Sequence, residues 1–256
     1  MNIFSREKSD PVTGQLEAGQ RIYAIGDIHG EVNLLTALLE KIQEDNDVRR
    51  AAATRLIFLG DVVDRGPDPA SILRALTALD DPGVVCLRGN HEQVMIDAYR
   101  GNLDALRFWL KIGGLTTLAS FGVNADTTDM ADHDQIFESM KKNVDRGIIS
   151  ELETWPTYHV EGTYFFTHAG VKPKVALQHQ DDADLLWIRG PFLNSNRNHG
   201  AIVVHGHTVE AGPPALGGNR IGVDTGAHEF GRLTALGLEG ESQWLVEAND
   251  GRDSID

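Results

Sequence analysis

The 256-residue chain is 41% hydrophobic and carries 23 Lys plus Arg against 38 Asp plus Glu, a formal charge of −15. That length supplies a substantial core for one α/β domain, and the acidity excludes a nucleic-acid polymer or an anionic membrane as an expected partner. Neither a secretory segment nor a membrane span is expected, since charges break up residues 2–10 and no apolar stretch is long enough, and the single Cys86, inside an apolar run, reads as a buried, inert thiol suited to a reducing cytoplasm.

Residues 1–20 are polar enough to form a loose end. Residues 21–26 (RIYAIG) form a short apolar run ending at glycine, as a strand buried on both faces does, and Leu34, Leu35, Leu38, Leu39 and Ile42 then recur at helix spacing. The pattern repeats twice. Residues 55–60 (RLIFLG) precede Ile72, Leu73, Leu76 and Leu79, which follow Pro67 and Pro69; residues 84–87 precede Val94, Met95 and Ala98. Three successive β-α units predict a parallel sheet with right-handed crossovers, whose ligand sites lie at the carboxyl ends of its strands. Residues 101–153 read as a mostly helical embellishment with Trp109, Leu110, Leu115 and Leu118 in its core and a polar loop at 126–134. Strands are expected again at 163–167, 201–205, 220–223, 232–238 and 243–246, and together they predict a second sheet. A second loose end at 250–256 leaves residues 21–247 as the core of one domain.

Polar clusters close five of the predicted strands. In extended chain the side chains of Asp27 and His29, two residues apart, point the same way and bring two metal-ligand types to one spot. Asp61 opens Gly60-Asp61-Val62-Val63-Asp64-Arg65-Gly66, Asn90 and His91 lie in Gly89-Asn90-His91-Glu92, and His168-Ala169-Gly170 and His205-Gly206-His207-Thr208 end later strands. Taken singly, each cluster is more often a capped turn than a ligand pair. Their order and common placement favour a metal site, and carboxylate, imidazole and amide oxygen together suit manganese, iron or zinc better than calcium.

The segments GDIHG, GDVVDRG, LRGNHE, HAG and HGHT, in this order, resemble the metallophosphoesterase superfamily and, within it, the bacterial and phage phosphoprotein phosphatase branch. The likeness runs through residues 21–237, and Trp109 to Gly122, LLWIR at 185–189 and Asp224-Thr225-Gly226-Ala227 resemble further signatures of that branch. The resemblance implies the calcineurin-like αββα fold, an α/β architecture of two mixed β-sheets sandwiched by helices. It also implies two divalent metal ions, manganese first and iron or zinc as alternatives. Asp27 and His29 would bind one ion, Asp61 would bridge, and Asn90, His168 and His207 would complete the other. His205 is left out of the ligand set as a packed histidine.

The same likeness implies that the ion pair lowers the pKa of water toward about 7, supplying hydroxide for attack on phosphorus. His91 is expected to be the general acid, oriented by Asp64, and Arg65 and Arg189 the phosphate clamp, because a planar guanidinium binds phosphate oxygens in a fork. Arg88 is equally placed to touch phosphate or to pair with a carboxylate. The expected substrate is a phosphomonoester on protein, on serine or threonine with tyrosine also open. Diadenosine tetraphosphatases resemble this branch closely and share its motifs, so hydrolysis of a small nucleotide anhydride is the alternative. A phosphate-binding scaffold without catalysis is a remote third reading, since every motif residue keeps its chemistry.

Overall fold

Strand β1 (Gln20–Ile25) has the two buried faces that its unbroken apolar run requires: Ile22 and Ala24 enter one core, Tyr23 and Ile25 another. The computed structural model describes residues 12–124, 129, 132–210 and 212–252; much of the loop expected at 126–134 and most of the segment 250–256 lie outside them. Strand β1 pairs in parallel with β2 (Ala53–Phe58), and β2 in parallel with β3 (Val84–Cys86). Helices α1 (Val32–Asp47) and α2 (Pro69–Thr77) make the crossovers, and α3 (Asn90–Tyr99) follows β3. Helix α2 starts at a proline, and Asp68 caps it by accepting the Ser71 N–H at 3.1 Å.

The middle of the chain is helical, with α4 (Leu103–Trp109), a π turn (Leu110–Gly114), α5 (Leu115–Ser120), α6 (His133–Asn143) and α7 (Arg146–Leu152). Trp109 and Leu118 are buried and Leu110 packs beside them, but Leu115 is 45% exposed on the outer side of its helix. Strands β4 (Tyr158–Glu161), β5 (Tyr164–Thr167), β6 (Ile202–His205) and β7 (Arg220–Gly222) form a four-stranded sheet in that order. Helices α8 (Asp182–Trp187) and α9 (Gly190–Leu193) cover its outer face through Leu185 and Phe192.

The chain then runs through α10 (Ala227–Phe230) to β8 (Arg232–Glu239) and β9 (Ser242–Asn249). These two strands correct the expectation that they extend the second sheet. Strand β8 returns beside β1, antiparallel, with Ile22 opposite Leu238 and Ile25 opposite Ala235, so the first sheet has the order β3-β2-β1-β8-β9. An apolar run specifies burial on both faces but not which sheet supplies them. The inner faces of the two sheets meet in a core that includes Ala24, Ile57, Phe166, Val204 and Leu236, with helices on both outer sides. Residues 12–20 are not loose: Leu16 is 3% exposed, and its N–H donates to the Gly240 carbonyl at 2.9 Å. Among the described residues no helix is long and apolar enough to cross a membrane.

Candidate metal centre

Asp61 stands where the rims of the two sheets meet. Its Oδ2 lies 3.4 Å from His168 Nε2, 3.7 Å from His29 Nε2 and 3.8 Å from His91 Nε2, and all four side chains are buried. Asp61 thereby joins two groups of potential ligands, one with His29 and His91 and one with His168 and His207, each group's atoms lying within 4.8 Å of one another. Asn90 Oδ1 approaches His168 Nε2 at 2.7 Å and His207 Nδ1 approaches it at 3.2 Å. Asp27 accepts the His207 N–H at 3.1 Å. Five of the six expected ligands thus gather at Asp61, and Asp27 lines the adjoining cleft but stands in neither group.

The backbone there is strained. His29, Asp61, Asp64, Arg65 and His207 have φ of 46°, 51°, 72°, 66° and 63°, a region that opposes non-glycine residues by about 1–3 kcal/mol each. Cross-loop hydrogen bonds hold it: the His29 N–H donates to the Asp61 carbonyl and the Gly66 N–H to the His29 carbonyl, both at 2.9 Å.

Glu92, quoted in the sequence motif but given no role, organises the loop after β2. Its buried carboxylate accepts the N–H groups of Asp61, Val62, Val63 and Gly89 at 2.8, 2.9, 3.2 and 2.8 Å. Gly60 has φ 98°, and a Cβ there would press into the Gly89 backbone, so the two strand-end loops can meet only as glycines. Glu92→Gln would turn an amide N–H₂ toward donors already aimed at an acceptor. It is expected to destabilise the protein by about 3 kcal/mol, read as a lowered urea midpoint with unchanged slope; a midpoint within error of the parent would show the loop to be held by other means.

Burial opposes charge throughout this cluster. It raises Glu92 to about 7 and Asp224 to about 6, with the Asp61 charge adding to both. Burial, then Asp224 and Asp61, lifts Asp27 well above the usual carboxylate range. Burial also presses on Asp61, but His168, His91 and His29 outweigh it and hold that carboxyl low. His29 and His207 are lowered to about 3 by burial, and His168 is lowered by the same cause, so these imidazoles are neutral.

The donors fit divalent metal ions. His29 and His168 set Nδ1 against the carbonyls of Val63 and Leu59, at 2.8 and 3.0 Å, where the ring N–H must donate. That leaves each Nε2 as a bare lone pair, the tautomer a metal requires. The His168 lone pair then faces Asn90 Oδ1 and Asp61 Oδ2, acceptors that repel it until a cation lies among them. His207 Nε2 is buried and makes no hydrogen bond within the protein.

A pH dependence follows. Carboxyl groups with raised folded pKa stabilise the metal-free chain below their unfolded values and lose that contribution as pH rises to about 7. An ion would displace the protons that Asp27, Asp224 and Glu92 retain, whereas His29, His168 and His207 have none to lose. The increase in Tm on saturation with Mn²⁺ is therefore expected to be larger at about pH 7.5 than at about pH 5.5, by roughly 3 °C or more. Scanning calorimetry at the two values checks it, and an equal or smaller increase at the higher pH contradicts the coupling.

Beside the ligands, His91 Nδ1 lies 2.6 Å from Asp64 Oδ2. Asp64 is fully buried and held by Trp109 Nε1 at 2.9 Å and the Thr117 hydroxyl at 2.6 Å. The Trp109–Gly122 signature thus has a physical meaning: the kink at Gly113 between α4 and α5 aims Trp109 and Thr117 at one carboxylate. Gly113, at φ 132°, sits so close to Asp64 and Arg65 that a side chain would collide with both. Burial alone would lower His91, but Asp61 and Asp64 outweigh it and raise its pKa. Arg65 Nη2 stands 3.2 Å from His91 Nε2, a contact that suits a neutral ring; Nε2 is free to carry a proton once the guanidinium turns to an anion.

The profile described as calcineurin-like phosphoesterase matches residues 20–228. The chain belongs to that family. It is 32% identical over 152 residues to a symmetrical bis(5'-nucleosyl)-tetraphosphatase of Methylococcus capsulatus, covering 59% of this chain and 44% of that one. It is 26% identical over 232 residues to the asymmetrical bis(5'-nucleosyl)-tetraphosphatase PrpE of Anoxybacillus flavithermus, covering 83% and 88%. The chain therefore spans less than half of the symmetrical relative but most of the asymmetrical one. Among solved structures, a chain provisionally named a diadenosine tetraphosphatase superposes with TM-score 0.58 at 19% identity, over 94% of this chain and 99% of the other. A cold-active protein-tyrosine phosphatase of a Shewanella species does so with 0.52 at 17%, over 91% and 83%. At such identities these two show the fold alone.

In this calcineurin-like phosphoesterase the centre opens into a cleft of about 360 Å³ whose lining includes Asp27, His29, Asp61, Asn90 and His91. Arg65 and Arg189 flank it, and Arg189 Nη2 is fixed by the His207 carbonyl at 3.2 Å. Arg88 is not among the residues that line the cleft: its backbone N–H donates to the Pro156 carbonyl, and its Nε is buried without a hydrogen-bond partner. His205 packs edge-on to Phe192 at 5.1 Å, outside both ligand groups. Sequence reasoning gave no role to Asp224, which lines the cleft, although the DTGA segment had signalled the position. Thr208, the last residue of HGHT, and Ile112, inside the 109–122 signature, line it too, and Phe108 joins them from outside every motif.

Proposed function

We propose that this phosphoesterase hydrolyses a phosphoanhydride bond of a dinucleoside polyphosphate, in the manner of the bis(5'-nucleosyl)-tetraphosphatases. The alignment with the asymmetrical relative over 83% of this chain and 88% of that protein carries the reading. The phosphoprotein substrate expected from the sequence has no comparable support, because the likeness to a protein phosphatase rests on fold. On this reading Asp27, His29 and Asp61 hold one divalent ion and Asp61, Asn90, His168 and His207 the other, with manganese preferred to iron or zinc. Bound divalent ions supply Lewis-acid polarisation of phosphoryl oxygens and a more acidic water.

The chain's own groups do the rest. Arg65 and Arg189 grip non-bridging oxygens and orient the anhydride. As Arg65 turns to the phosphate it leaves His91 Nε2 free to take up a proton, which the Asp64 carboxylate favours through Nδ1. Water adds at phosphorus and releases one proton to solvent, the bond to the bridging oxygen breaks, and His91 delivers its proton to that departing oxygen. The decisive experiment compares initial rates on diadenosine tetraphosphate, a phosphoserine peptide and a phosphotyrosine peptide under one Mn²⁺ condition. The dinucleotide is expected to have the highest kcat/KM, by about tenfold or more, with all turnover lost to chelator. A phosphopeptide in first place overturns the reading.

A further inference from the structure

Eight large apolar side chains among the described residues are well exposed, and two of them, Phe108 at 44% and Trp187 at 39%, line the cleft. They come from α4 and α8, helices distant in sequence, yet their ring centroids are 6.1 Å apart with planes tilted by 47°. Ile112, on the π turn after α4, continues the same wall. Trp187 is also fixed relative to the metal centre, since its ring meets His207 edge-on at 6.2 Å and Arg189 follows two residues later. Exposed aromatics lose hydration-driven stabilisation with no gain to folding, so a pair of them set above a phosphate clamp calls for a ligand.

Resting on the function proposed above, we infer that Phe108, Ile112 and Trp187 form a shelf that stacks the nucleobase of a nucleotide whose phosphate lies between Arg65 and Arg189. The wall favours a base over an extended peptide for a chemical reason. In the cleft that Arg65 and Arg189 flank, it presents flat apolar surface made of two aromatic rings and the Ile112 side chain. An extended peptide binds chiefly through repeated backbone hydrogen bonds, which ring faces do not offer. Stacking is tolerant of base identity, because every base has a π face, so the shelf selects nucleotides as a class and not one base.

The test is calorimetric titration of the Mn²⁺-loaded full chain with AMP and with ribose 5-phosphate, and, as a control, with phenyl phosphate and methyl phosphate. Stacking is worth roughly fivefold to 150-fold in affinity, so AMP is expected to bind more tightly than ribose 5-phosphate by a factor in that range. Phe108→Ala should bring the ratio to within about twofold of unity while the ribose 5-phosphate Kd holds, and Phe108→Tyr should restore it. Phe108 is exposed, so neither change threatens the fold. Equal Kd values for AMP and ribose 5-phosphate in the parent overturn the shelf, as does an unchanged ratio in Phe108→Ala. So does discrimination of phenyl from methyl phosphate without discrimination of AMP, which fits a ring bonded directly to phosphate, as in phosphotyrosine. The titration needs no turnover. A chain that binds AMP through Phe108 and leaves dinucleoside tetraphosphate uncleaved would sink the functional reading and keep the shelf.

Discussion

Asp61→Asn is expected to abolish metal binding and lower kcat by about 10³-fold or more, the scale of several kcal/mol of metal-derived stabilisation of the transition state. The substitution keeps the side chain's shape and its Oδ1, which accepts the His91 N–H at 3.0 Å. It replaces Oδ2, the atom facing three imidazoles at 3.4–3.8 Å, with an amide that cannot bridge cations. Folding should survive, because an N–H₂ group can donate to the imidazole lone pairs that the carboxylate leaves facing it. Two measurements separate the effects: the metal-free variant should melt near the parent, and added Mn²⁺ should no longer raise its Tm. Elemental analysis showing a parental metal-to-protein ratio would remove Asp61 from the bridge.

His91→Asn is expected to leave both metal content and KM near parental while lowering kcat on an alkyl phosphate by about 10²–10⁴-fold, the usual worth of a positioned proton donor, and on a dinucleoside polyphosphate by less. The loss should depend on the leaving group. A polyphosphate or p-nitrophenolate departs without much help from a proton, whereas the alkoxide of serine needs one, so the variant should be impaired most on alkyl phosphates. Kinetics on p-nitrophenyl phosphate and an alkyl phosphate, measured side by side, decide the matter. A uniform loss on both would assign His91 to phosphate positioning and not to proton transfer.

How far these residues were legible in the sequence depended on whether their placement was local. Asp27 with His29, and Asn90 with His91, sit at ends of apolar runs, and a strand end is a local signal. Their convergence with His168 and His207 was implied by family resemblance and by no spacing in the chain. Non-local choices were missed. Strands β8 and β9 were visible as strands, yet nothing in residues 232–249 says that they pair with β1 and not with β7. Strand β4 escaped because Tyr158 and Val160 are exposed on an edge, so YHVE lacks an apolar run. Glu92 was read as part of a motif, but its four backbone donors come from two loops and appear only once those loops are folded. Trp109 was read as core, and it is; that its indole N–H also anchors Asp64 needed the kink at Gly113, which no period reveals.

The centre is assembled across a seam. Asp27, His29, Asp61 and Asn90 rise from the first sheet, His168 and His207 from the second, and the His168 Nδ1 contact with Leu59 stitches one to the other. Coordination tolerates errors of only about 0.2 Å, far less than two sheets can slip when their shared core is loosened. The accuracy of the site is thus set where Phe166 and Val204 interlock with Ala24 and Ile57, none of which approaches the reacting atoms. Trimming one of those side chains is expected to weaken Mn²⁺ binding, measured by titration, while the chain still melts cooperatively; unchanged affinity in a Val204→Ala variant would contradict it.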